Sequence, residues 1–113
     1  MRIENTTLHA SLVVKVMDPR LVSDKTESFR EQMRRFVEDG NRSIVLDLSQ
    51  VDYVDSAGLG AILFVQNHVE KQGRFALAGT GERVMALLKL SRLDKLFRLY
   101  PTAEEAAAAL AAG

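Results

Sequence analysis

Cysteine and tryptophan are absent from the 113 residues, proline and histidine occur twice each, and the charges cancel. Without cysteine there is no disulfide framework, no thiolate metal site and no cysteine nucleophile. Fifteen Lys and Arg against fifteen Asp and Glu give a formal net charge of zero. That removes the electrostatic footprint a nucleic-acid binder needs, so no DNA or RNA partner is expected. Long apolar runs are also lacking. No segment approaches the roughly 20 apolar residues that span a bilayer. The start, Met1-Arg2-Ile3-Glu4-Asn5-Thr6-Thr7, has no apolar stretch of the kind a secretory signal carries. No membrane insertion and a cytoplasmic location are the expectations. His9 and His68 stand far apart with no ligand pattern near either, so neither a metal site nor a cofactor is expected.

What is present is the composition of a soluble globular protein, 47% apolar and 27% charged. The length suits one domain over residues 1–113 built around one core. Ser11 to Met17 is rich in β-branched residues and stops at Asp18-Pro19, which predicts a strand. Arg2 to Thr6 can pair with it at an edge, although Thr6 to Ala10 carries only a weak turn signal. Asp24 followed by Glu27 resembles a capping box, and Phe29, Met33, Phe36 and Val37 recur on one helical face, predicting a helix over 25–38 with Gly40 as its left-handed stop.

Ser43 to Ser49 is nearly continuously apolar, the pattern of a central strand covered on both faces. Leu59, Ile62, Leu63, Phe64, Val65 and Val69 cover a wide arc of a helix from Ala57 to Gln72, with Gly73 positioned as its stop. A strand from Arg74 to Gly79 follows. A third helix is marked by Val84, Leu87, Leu88 and Leu90, then come a short strand from Leu96 to Tyr100 and a helix capped by Thr102, with Glu105 reaching back. Strands alternating with single helices imply an α/β fold, a mixed and mostly parallel sheet of four to five strands with about four helices.

The informative segment is Asp47-Leu48-Ser49-Gln50-Val51-Asp52-Tyr53-Val54-Asp55-Ser56-Ala57-Gly58-Leu59-Gly60, running from the central strand into the second helix. In parallel α/β sheets, ligands and partners are met at the carboxyl ends of strands. Asp55 and Ser56 fall at the helix start, where free amides and the positive end of the dipole favour an acceptor or an anion. Gly58 and Gly60 are costly in a helix and need a reason, such as close approach by a partner backbone. Asp47 reads as structural, bonding loop amides. Gly58-Leu59-Gly60 lacks the Lys-Ser/Thr of a phosphate-binding loop. Asp55-Ser56 lacks a Gly-x-Ser-x-Gly elbow, and neither histidine is placed as its base, so no catalytic residue and no enzyme activity are expected.

Residues 44 to 60 resemble the signature of STAS domains, in particular of bacterial anti-anti-sigma factors, in which an aliphatic-Asp-Leu-Ser strand end leads to Asp-Ser-(Ser/Ala)-Gly-Leu-Gly. The resemblance extends over about residues 11 to 110, taking in Arg30-Glu31, Leu87 to Phe97 and Thr102 to Leu110. It implies a STAS-like fold and a phosphoacceptor at Ser56. It also implies an anti-sigma factor that doubles as a serine protein kinase as partner, with a serine phosphatase to reverse the modification. The partner face it implies comprises Asp52, Tyr53, Asp55, Ala57, Gly58 and Leu59 with Arg20 and Leu21. At Pro19-Arg20-Leu21-Val22 the chain departs from the family's Gly-x-Leu/Ile-Asp, with proline for glycine and valine for the acid. The plainer alternatives are that Ser56 only caps a helix, or that the domain is a scaffold in a stressosome-like complex or a lipid-transport ATPase.

Overall fold

Alternation along each strand decides which face a residue serves, because successive side chains point to opposite sides of a sheet. In the computed structural model, which describes residues 1–112, the strands β1 (Ile3–Leu8), β2 (Ser11–Val16), β4 (Ser43–Asp47), β6 (Arg74–Ala78) and β7 (Leu99–Tyr100) form one sheet in the order β1-β2-β4-β6-β7. β1 pairs antiparallel with β2 and every other pair is parallel. β4 is therefore central, as its apolar run predicts. A second small sheet joins β3 (Arg20–Leu21) to β5 (Tyr53–Val54).

Val14, Val16, Ile44, Leu46, Phe75 and Leu77 project to one face of the main sheet. There they meet Phe29 and Met33 of α1 (Thr26–Glu38), Ile62 and Val65 of α2 (Ser56–Glu70), and Val84 and Leu88 of α3 (Glu82–Leu90). The intervening residues Val13, Val45, Ala76 and Ala78 face Ala106, Ala107 and Leu110 of α4 (Ala103–Ala112). Small residues on both sides let α4 lie close on the sheet, while the bulky side chains fill the thicker layer. Thr102 caps α4 as predicted, its Oγ accepting the Glu105 amide at 3.1 Å.

Several local expectations are corrected. The β1–β2 turn is His9-Ala10, with φ of 48° and 67°; such a two-residue turn usually carries Asn-Gly, which explains the weak signal. Asp24 and Glu27 form no capping box. Ser23–Lys25 is a 3₁₀ turn and α1 follows it without a side-chain cap. Gly40 does take the left-handed stop at φ 102°. Gly73 does not; it is required by contact, since a Cβ there would lie 1.7 Å from the Arg42 carbonyl oxygen. The strand expected over Leu96 to Tyr100 contracts to Leu99–Tyr100.

Asp18, at the end of the β2 run, is buried and receives Lys25 Nζ at 3.1 Å. Burial acts to raise its carboxyl, but the Lys25 hydrogen bond and charge, with the Arg2 backbone amide, outweigh it and hold the group below the ordinary carboxylate range. A depressed folded-state value stabilises above the unfolded value, about 3.9, and that contribution disappears as pH falls through the folded one. Lys25→Met is therefore expected to lose about 0.5–1 kcal/mol at pH 7, since the lysine is partly exposed. Urea unfolding should show the difference from the wild type shrinking below about pH 4. A pH-independent difference would rule out the ion pair as its source.

Candidate functional site

The site is built where the small sheet meets the start of α2. Pro19 carbonyl oxygen accepts the amides of Asp52 at 2.7 Å and Tyr53 at 3.3 Å, and Leu21 carbonyl oxygen accepts that of Asp55 at 3.3 Å. The departing Pro19-Arg20-Leu21 stretch is thereby held beside the loop that leads into the helix. Asp55 is the N-cap, with extended backbone. One carboxylate oxygen accepts the Gly58 amide at 2.7 Å and the other the Ser23 amide at 3.0 Å. Both oxygens are thus committed, one to the helix and one to the turn before α1.

Ser56 is the first residue of α2 and is exposed. Among the described residues its hydroxyl has no hydrogen-bond partner. Capping is done by Asp55, so Ser56 is not required for it. Asp52 and Tyr53 are exposed beside it, Tyr53 at 42%, with the exposed Arg20 guanidinium 5.1 Å from the Tyr53 ring centroid. Ala57 and Leu59 are half-buried, and Leu59 packs against the core.

Two residues expected on a partner face are turned inward. Leu21 is fully buried in the core. Gly58 is buried too, and a Cβ on it would stand 2.2 Å from the Leu21 carbonyl oxygen and 3.0 Å from Val54 Cγ1. Its close approach is to the chain's own β3 backbone, which takes the place of the partner backbone inferred from sequence. Gly60 has nothing within 4 Å of the same position. Asp47 is buried and accepts the Ser49 amide at 2.9 Å, the structural role read for it.

A groove of about 530 Å³ opens beside the serine, lined by Tyr53, Val54, Ser56, Arg83, Ala86, Leu87 and Leu90. Leu90 is 85% exposed. It is the last residue of α3, the helix it helped to mark in the sequence, and its side chain lies outside the core that Val84 and Leu88 join. Sequence reasoning also passed over Arg83, for which no local pattern exists. His9 Nε2 is 2.8 Å from Glu104 Oε1, and His68 stacks on Phe64 with ring centroids 5.8 Å apart. Among the described residues no cluster of three or more His, Asp or Glu could hold a metal, and no helix is long and apolar enough to cross a membrane.

Known proteins resemble this chain in sequence and in fold. The family model described as STAS domain matches residues 3–106. A protein of Thermotoga neapolitana, provisionally named an anti-sigma factor antagonist homolog, is 38% identical over 72 residues, 63% of this chain and 64% of its own. The match thus spans just under two thirds of that relative. BtrV of Bordetella bronchiseptica, provisionally named an anti-sigma factor antagonist, is 32% identical over 88 residues, covering 77% of this chain and 76% of BtrV. The crystal structure of a Thermotoga maritima protein with the same provisional name superposes with a TM-score of 0.83 at 28% identity, covering 96% of this chain and 93% of the other.

Proposed function

Because the chain belongs to the STAS domain family, we propose that it is an anti-sigma factor antagonist, a single cytoplasmic domain that binds an anti-sigma factor and is switched by phosphorylation of Ser56. The observation that carries this reading is the exposure of Ser56 at the mouth of α2 while Asp55 alone does the capping. A serine so placed is open to another protein's active site, and modifying it breaks no bond of the fold. The partner kinase would transfer the γ-phosphoryl group of ATP to Ser56 Oγ. An O–P bond forms there, the bond to ADP breaks, and the hydroxyl proton passes to a base of the kinase. A serine phosphatase would hydrolyse the ester and reset the switch.

Phosphate adds about 1.5 to 2 negative charges, which the positive end of a helix tolerates. A partner lying flat on Asp52, Tyr53, Asp55, Ala57 and Arg20 would have to strip water from that phosphate beside Asp55, at a cost it recovers only with a matching cation. The unmodified chain therefore holds the anti-sigma factor, leaving the sigma factor free, and the modified chain releases it. Incubation with a candidate anti-sigma serine kinase and ATP, followed by mass mapping, is expected to place one phosphate on Ser56 and none on Ser56→Ala. Phosphate elsewhere, or none, overturns the assignment.

Exposed apolar surface next to the serine belongs to the same face. Leu90→Ser is expected to leave stability within about 0.5 kcal/mol of wild type, as for exposed sites generally. It should weaken anti-sigma factor binding about fivefold, roughly 1 kcal/mol. Unchanged affinity by calorimetry would take Leu90 out of the interface.

A further inference from the structure

The groove beside Ser56 holds a cation that the switch described above leaves unused. Arg83, the second residue of α3, lines that groove together with Ser56 and is exposed. Among the described residues its guanidinium has neither an ion pair nor a hydrogen bond. Asp52 and Glu82 border the adjoining hollow with it but form no ion pair with it. The other nearby cation, Arg20, lies over the Tyr53 ring. On the anionic side, Asp55 has already taken the Gly58 and Ser23 amides. A phosphate on Ser56 would find these two amides occupied, a carboxylate next to it and a free guanidinium across the groove.

We propose that Arg83 receives the phosphate of modified Ser56 within the same chain, pairing with it across the groove and closing the groove over Tyr53, Leu87 and Leu90. The inference rests on Ser56 being the modified residue. The planar guanidinium presents a fork of donors that matches two phosphate oxygens, which a lysine ammonium does not. Phosphorylation then acts twice on one face. It adds charge at Asp55-Ser56, and it withdraws both a free cation and an apolar groove from the partner.

The test uses the full chain with phosphoserine incorporated at position 56 during synthesis, so that no kinase is involved. In a phosphorus NMR titration, the second ionisation of the phosphate, ordinarily near 6, is expected about half a unit or more lower in the otherwise wild-type chain than in Arg83→Gln. Arg83→Lys should fall between them. A second reading needs no substitution: the Arg83 Nε–H resonance of the wild-type chain should move on phosphorylation. Superimposable titrations, or an unmoved Arg83 resonance, overturn the pairing. If the phosphorylated chain shows the pairing yet binds the anti-sigma factor as the unmodified chain does, the proposed function fails while the pairing stands. Release of the partner with identical titrations gives the reverse.

Discussion

Gly58→Ala is expected to lower folding stability by about 3 kcal/mol, the upper part of the range for forcing atoms into a filled site. The added methyl would sit 2.2 Å from the Leu21 carbonyl oxygen, well inside contact distance. Leu21 cannot yield cheaply. Its side chain is locked in the core, and its carbonyl accepts the Asp55 amide. Relief must come from separating β3 from α2, which also pulls Ser23 from the Asp55 carboxylate. Gly60→Ala is the control. It lies two residues further along the same helix with open space around it, and should gain about 0.5–1 kcal/mol from better helix propensity. Urea midpoints of the two variants are expected on opposite sides of wild type. A Gly58→Ala chain as stable as wild type would mean that β3 does not bear on the helix.

Ser56→Asp should leave the melting temperature nearly unchanged and weaken anti-sigma factor binding at least tenfold, about 1.4 kcal/mol. The fold is spared because the Ser56 side chain has no partner to lose among the described residues. Negative charge at a helix start is also favourable by about 0.3–1 kcal/mol when exposed, which offsets repulsion from Asp55. Binding suffers because a carboxylate buried against a partner must lose its water. Equal affinities of variant and wild type by titration calorimetry would exclude a charge switch, and a large drop in melting temperature would show that Ser56 supports the fold.

The main sheet and the place of Ser56 were legible in the sequence because their signals are local. Ile44-Val45-Leu46 is apolar without a break in a run of strand length, as expected of a strand covered on both faces, and Asp55 precedes a long helical arc. The β3–β5 pairing was not legible: two residues on each strand carry no period, and their register is set by Pro19 and Leu21 carbonyls reaching across the fold. For the same reason the need for Gly58 was visible while its cause was assigned to a partner. Gly73 was likewise read by position in the chain when contact with Arg42 decides it. Leu90 does belong to the third helix it helped to mark, but nothing local in the sequence tells that its side chain stands outside the core. The capping box at Asp24 failed because Ser23–Lys25 is wound as a 3₁₀ turn, its Ser23 amide given to Asp55.

The Asp55 carboxylate bridges segments more than thirty residues apart in the chain, from Ser23 to Gly58. Together with the backbone bonds that the Pro19 and Leu21 carbonyls accept, that bridge joins these surface elements into one plate before any encounter. A partner meeting that plate has little loop entropy to freeze, so complex formation should proceed in a single kinetic step, with affinity set by how long the complex lasts and not by a slow rearrangement.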